Sequence, residues 1–275
     1  MTLSINNANS ALSLLSSVTA NNGSGDLTSI LYGGGQVSSG DPVASFVNAE
    51  TNQTKSVARQ AKDPSTKRDV THFLAVVQKA PDLKTLLADP IARKVFLTAN
   101  GLGDQTDYAA LATKALSSDT TKTSNLAANL SDTRWLAVAK TYDFANKGLT
   151  VLKQQTALDS ITNGYAQVQW QQSLDKTTPG LSAALDFRSR ASTITKVDQI
   201  LGDKNIRQVV TTALGLPLQI AFQSLSTQEK AITDRLDITK FQNPKFVEQF
   251  ARSFLVQNSI NNQSSGQSSQ TSLFA

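Results

Sequence analysis

The sequence predicts an all-α fold with an internal duplication, on three observations. Three Asp-Pro pairs stand where helices would begin, apolar residues recur at helical spacing, and one segment near residue 90 returns near residue 205. No region shows the sustained apolar/polar alternation of a half-buried strand, so little sheet is expected.

The Asp-Pro pairs are Asp41-Pro42, Asp63-Pro64 and Asp89-Pro90. An Asp side chain at the N-cap accepts a backbone N–H, and Pro fits the first helical position, where an N–H has no partner to lose. Helices are therefore predicted over 42–60, 64–79 and 90–100. In the second, Val70, Phe73, Leu74 and Val77 fall on one stripe, which is the face that would enter a core. Further helices are predicted near 105–117 and 122–130. A long central helix should start after Asp132, with Trp135, Val138, Ala139 and Tyr142 inward, and continue with a kink near Gly148 toward Lys176. Beyond Pro179, shorter helices are predicted near 181–191, 196–201, 204–214, 217–223, 227–235 and 244–258. Ser226 with Glu229 fits a capping box for the 227–235 helix.

Composition agrees with this reading and removes several chemistries. Asp outnumbers Glu, 18 to three, which suits caps and turns better than helix interiors. Hydrophobic residues make up 39% of the chain, ample for a core. There is no cysteine, so disulfides, thiol chemistry and the usual zinc ligands are excluded. No run of 18 apolar residues exists to span a membrane. Residues 1–10 hold neither basic residues nor a continuous apolar run, so no cleavable signal peptide is expected. The net charge of +5 permits acidic partners without requiring them.

Both ends read as flexible tails. Residues 1–40 are rich in Ser, Asn, Gly and Thr and carry one charged side chain, Asp26, while 258–275 carry none. Such composition does not bury enough apolar surface to order itself. The expected organisation is a tail over 1–40, a duplicated helical domain over 41–257, and a second tail over 258–275.

The duplication is the most informative feature. Residues 86–102 read LLADPIARKVFLTANGL and residues 200–216 read ILGDKNIRQVVTTALGL. Without a gap, Leu87, Asp89, Arg93, Val95, Thr98, Ala99, Gly101 and Leu102 match Leu201, Asp203, Arg207, Val209, Thr212, Ala213, Gly215 and Leu216. Further on, Asp132-Thr-Arg-Trp-Leu parallels Asn243-Pro-Lys-Phe-Val. Units of about 70–145 and 186–258, related by a pseudo-twofold and joined by the long central helix, follow. Folding explains each match: Asp89 and Asp203 as caps, Arg93 and Arg207 as partners of the cap or of a neighbouring helix, Gly101 and Gly215 as left-handed helix ends covered by Leu102 and Leu216.

Searched for chemistry, the chain yields no catalytic, cofactor-binding or metal site, and no cofactor. His72 stands alone beside Phe73 on an amphipathic helix and lacks visible triad or metal partners. Gly101-Leu-Gly103 and Lys147-Gly148 belong to no phosphate-binding loop. Ser173-Leu-Asp-Lys176 fits S-x-x-K without its companion motifs. Asp104 and Asp107 read as helix caps. The best nucleic-acid patch, Lys55, Arg59, Lys62, Lys67 and Arg68, is diluted by Asp63 and Asp69 and has no aromatic residue for base stacking. It reads as a solvated helix face.

The segments LLADPIARKVFLTANGLGD, NLSDTRWLAVAKTYDF and FVEQFARSFLVQNSINN resemble a bacterial family, domain of unknown function 1217. The resemblance covers about 45–260 and is most specific at the helix ending at Gly101-Leu102 and at Leu130 to Trp135. Members are mainly alphaproteobacterial and often encoded among flagellar genes; no catalytic residues are established for them. The resemblance implies a non-enzymatic flagellum-associated protein, structural or assembly-related. Its partners would be other proteins, flagellar components or export machinery, or further copies of itself. It would reside in the flagellum or the cytoplasm. The first 40 residues lack the long heptad-rich helices of axial proteins, which points to an accessory or assembly role. Two alternatives come from other classes: a helical binding module, for nucleic acid through the 55–68 stretch, and an enzyme whose polar pocket lies between the duplicated halves.

Overall fold

A computed structural model describes residues 41–271, less the side chains of 218 and 263–271. The predicted N-terminal tail, 1–40, lies outside the described residues. Every regular element among them is helical.

The Asp-Pro starts behave as the cap chemistry dictates. Asp41 opens α1 (Pro42–Gln60) by accepting the Val43 N–H at 2.8 Å. Asp63 opens α2 (Pro64–Lys79) on the N–H groups of Ser65 and Thr66. Asp82 caps α3 (Leu83–Ala88), a short helix that buries Leu83, Leu86 and Leu87. Asp89 caps α4 (Pro90–Ala99) on Ile91 and Ala92. A 3₁₀ turn (Gly103–Gln105) leads to α5 (Ala109–Leu116) and α6 (Leu126–Asn129).

The long helix expected after Asp132 is divided. Helix α7 (Arg134–Tyr142) stops at Asp143, whose φ of 50° is left-handed, a conformation Asp tolerates better than most residues. Helix α8 (Phe144–Lys147) and a 3₁₀ turn (Gly148–Lys153) follow. Only then does the central helix α9 (Gln155–Leu174) begin. The cause is packing: Tyr142, Phe144, Leu149 and Leu152 all enter one core, so the chain folds back on itself instead of running straight.

After α9 come α10 (Leu181–Arg190), a 3₁₀ turn (Ala191–Thr193), α11 (Val197–Gly202), α12 (Lys204–Ala213) and a 3₁₀ turn (Leu218–Phe222). Helix α13 (Leu225–Thr233) starts two residues earlier than predicted. Its cap is Ser224, which accepts from Thr227 N at 3.3 Å, so the Ser226–Glu229 capping box does not form. A last 3₁₀ turn (Ile238–Gln242) precedes α14 (Pro244–Thr271). The break expected at 258 is not a helix end. Val247, Phe250, Ala251, Phe254 and Leu255 anchor the first turns of α14. An anchored helix extends at the low cost of propagation once its nucleus exists.

The buried side chains form two clusters. The first gathers Phe73, Leu86, Leu87, Phe96, Trp135, Tyr142 and their neighbours from α2 to α8. The second gathers Leu181, Phe187, Ile200, Val209, Phe241, Phe254 and their neighbours from α10 to α14. Helix α9 serves both, giving Leu158, Ile161 and Tyr165 to the first and Trp170 to the second. Helix α1 belongs to the second cluster despite preceding the first in sequence: Phe46 and Ala49 are buried there.

Helices α4 and α12 begin and end with similar hydrogen bonds. Asp203 caps α12 on Asn205 and Ile206 as Asp89 caps α4. Leu102 N donates to Leu97 O at 2.8 Å and Gly101 N to Thr98 O at 3.1 Å; Leu216 N donates to Thr211 O at 2.9 Å and Gly215 N to Thr212 O at 3.0 Å. Both pairs make a Schellman exit, with Gly101 at φ 75° and Gly215 at φ 62°, where a Cβ would be strained. Arg93 donates to Leu87 O at 2.6 Å, and Arg207 to Leu201 O at 3.4 Å. These two arginines thus satisfy carbonyls at the end of the preceding helix, rather than a cap carboxylate.

Candidate functional site

Asp203 does more than cap α12. One carboxylate oxygen accepts the two helix N–H groups; the other takes Arg190 Nη1 at 2.6 Å and lies 3.3 Å from Arg134 Nε. Arg134, at the start of α7, also pairs with both oxygens of Asp104 at 3.0 Å and with Asp132 at 2.7 Å, and donates to Gly101 O at 2.6 Å. Arg190, ending α10, holds Asp186 one turn earlier through both oxygens. The network ties the exit of α4, the start of α7, the end of α10 and the cap of α12, and so bridges the two cores. It is well covered: the side chains of Arg134 and Asp203 are 11% and 5% exposed.

Burial alone would lower the Arg134 pKa, but Asp132, Asp104 and Asp203 outweigh it and raise it. Burial would likewise lift the Asp203 carboxyl, yet the Arg190 hydrogen bond and charge, with Arg134 and the Ile206 N–H, hold it below the usual carboxylate range. Asp203 is therefore kept ionised. Glu50, which lies elsewhere, at α1, is the reverse: burial raises its pKa against the pull of Arg188, 2.5 Å away.

A pH dependence follows. Asp203 has a folded pKa below its unfolded value of about 3.9, so its stabilisation is complete above that value and is lost as pH falls through the folded one. Asp203→Asn is expected to be less stable near neutrality and to show a flatter loss of stability between about pH 5 and pH 2 than the parent. Urea midpoints measured across that range check it; parallel curves would contradict it.

The residues singled out in the sequence fall as follows. His72 hydrogen-bonds the cap Asp89 at 2.8 Å and is half-exposed. Ser173 donates to Trp170 O at 2.6 Å, and Lys176 is exposed, so no Ser–Lys pair forms. Asp104 joins the Arg134 network; Asp107 is exposed. Lys55, Arg59, Lys62, Lys67 and Arg68 are all exposed on α1, α2 and their junction. Trp170 lines a cleft with Arg59 and Lys62 but is itself buried in the second core, so it offers no face for a base. Among the described residues no cluster of His, Asp or Glu is placed to hold a metal ion, and no helix is long and apolar enough to cross a membrane.

Two further features are a cavity and a groove. Beside the Arg134 network a cavity of mixed polar and apolar lining opens between the cores, with Thr98, Asp104, Gln171 and Asp186 among its walls. On the far side of α12, an apolar groove of about 200 Å³ lies between Leu216, Pro217, Ile220 and Ile232. Next to it Phe222 is 89% and Leu225 58% exposed. The paired apolar residues around 220–225 were a signal for the second, had a surface helix been weighed against a core one.

Residues 99–247 match the family described as Protein of unknown function (DUF1217), more than half of the chain. The chain belongs to the DUF1217 family. The matched DUF1217 segment contains the whole Arg134–Asp203–Arg190 network and the Phe222 surface. Protein AGR_C_984 from Agrobacterium tumefaciens, known from an X-ray crystal structure, is similar at TM-score 0.67 and 24% identity, over 83% of this DUF1217 chain and 98% of its own. At that identity the likeness speaks for the fold alone. No curated protein matches.

Proposed function

We propose that this DUF1217 protein is a non-enzymatic, flagellum-associated structural or assembly protein that works by protein–protein contacts. The observation that supports contact as its mode of action is the Phe222–Leu225 surface. A phenyl ring 89% exposed beside a leucine 58% exposed, flanking an apolar groove, is the kind of surface that docking covers. The flagellar part rests on the resemblance, through the gene neighbourhood of family members, and the internal duplication would supply two related helical units. Placement in the flagellum or the cytoplasm follows from the same reading.

The test is deletion of the gene in its host, scoring flagella and swimming. Intact flagella and normal swimming would end the proposal. Complementation then examines the surface. Phe222→Ser with Leu225→Ser is expected to leave stability within about 0.5 kcal/mol, because neither side chain is in the core, yet to fail to restore motility at equal protein level.

A second reading, nucleic-acid binding, draws on the exposed Lys55, Arg59, Lys67 and Arg68. It requires affinity that falls steeply with salt, and a flat response would remove it.

A further inference from the structure

The groove on the outer face of α12 has an apolar floor and a basic rim. Leu201, Leu216, Ile220 and Ile232 supply the floor, and Lys204 and Arg207, one turn apart on α12, supply the rim. At about 200 Å³ it is smaller than the roughly 300–1,000 Å³ of pockets for drug-sized molecules. It suits a few side chains of a docked segment better than a ligand. Phe222 and Leu225 stand exposed beside it.

Charge narrows the choice of occupant. Lys204 and Arg207 are the charged residues of the lining. Arg207 donates to Leu201 O, and among the described residues neither side chain forms an ion pair. The matching occupant is an apolar segment that carries an acidic residue. The chain has such a segment ahead of the described residues. Asp26 is the one charged side chain of residues 1–40, and Leu27, Ile30 and Leu31 follow it at the i, i+3, i+4 spacing by which a helix anchors in a groove. The other apolar patch of that region, Ala11 to Leu15, has no charged side chain beside it.

The arrangement of the helices decides whose groove is within reach. On α10, Arg188 meets Glu50 of α1 at 2.5 Å, and Arg190 meets Asp203, the cap of α12, at 2.6 Å. Two residues turn a helix by about 200°, so α1 and α12 lie on opposite sides of α10. Residues 33–40, which join the segment to α1, span at most about 30 Å. Three helices side by side, about 10 Å each, use all of that in a straight line, and the path round the surface is longer. A second copy imposes no such limit.

We propose that residues 26–32 of one copy dock in the α12 groove of a second, with Leu27, Ile30 and Leu31 on the apolar floor and Asp26 facing Lys204 and Arg207. The inference rests on the reading of the Phe222 surface as a docking site and names its occupant. Each copy gives one segment and receives another, so the contact is head-to-tail.

The test exploits the absence of cysteine from the chain. Full-length Leu31→Cys is mixed with full-length Ala221→Cys, at an exposed position of the groove lining, and disulfide-linked pairs are followed under mild oxidation. Linkage is expected to be several-fold faster than between Leu14→Cys and Ala221→Cys. Asp26→Lys in the giving chain should slow it about two- to fivefold, the scale of an exposed ion pair. Lys204→Glu in the receiving chain, a change at an exposed side chain, should slow linkage by the parent segment and speed linkage by the Asp26→Lys segment. Linkage no faster than the Leu14→Cys control, or the same effect of Lys204→Glu on both segments, would overturn the proposal. So would a chain carrying both cysteines that closes on itself in preference to linking with another, because the segment would then cover its own groove. If linkage fails while Phe222→Ser with Leu225→Ser still fails to restore motility, the surface docks a different partner: this inference falls and the docking reading stands.

Discussion

Replacing Arg134 with alanine is expected to lower the unfolding free energy by about 3–5 kcal/mol, the cost of removing one partner from a buried ion pair. The magnitude follows from what is left behind. Asp104, Asp132 and Asp203 all lean on this guanidinium, and the Gly101 carbonyl loses its donor. Arg190 still holds Asp203, so the penalty falls mainly on Asp104 and Asp132, with their charges close together and partly out of water. Urea titration reads the effect as a lower midpoint at unchanged slope. A loss under about 1 kcal/mol would be the value of a surface pair and would mean that water reaches the seam freely. Arg134→Lys is expected to recover only part of the loss, because a single ammonium does not span both oxygens of Asp104 while reaching Asp132 and Asp203.

The second large effect is expected at Gly202. A Cβ there would stand 2.6 Å from the Ser131 carbonyl oxygen and 3.1 Å from its carbon. These are backbone atoms, so no side chain can swing aside. Alanine favours a helix over glycine by about 0.5–1 kcal/mol, but overpacking of this kind costs about 1–3 kcal/mol, and the clash wins. Relief requires Ser131 and Asp132 to move away from α11, carrying Asp132 and Arg134 off Asp203. Gly202→Ala and Arg134→Ala should therefore be markedly non-additive in a double-mutant cycle. Additive losses would show that the loop yields without disturbing the ion network.

The helix starts were legible in the sequence because their causes are local. Asp41, Asp63 and Asp89 each reach N–H groups two or three residues away, and Gly101 and Gly215 each end a helix within a single turn. The path after Tyr142 was not legible, since Phe144, Leu149 and Leu152 turn the chain only because a core waits for them. Short α3 escaped for lack of a full amphipathic period. The seam was half visible: Arg134 stood within the motif from Leu130 to Trp135, and Asp203 within the repeat. Nothing along the chain says that they meet, or that Arg190 and Asp186 join them. Gln171 and Thr98 carried no signal at all, because lining a cavity between two cores is a fact of three dimensions.

The placement of α1 governs the order in which the molecule can be completed. Phe46 and Ala49 emerge early in synthesis, yet their helix packs against α9, α10 and α14. The first core can close as soon as its own helices are made, while α1 meets its last partner, α14, only when nearly the whole chain is present. Its docking is the longest loop closure in the described structure, and the entropy of that closure falls on the last step rather than the first. Until α14 arrives, the side of α1 that it covers stays open to other contacts.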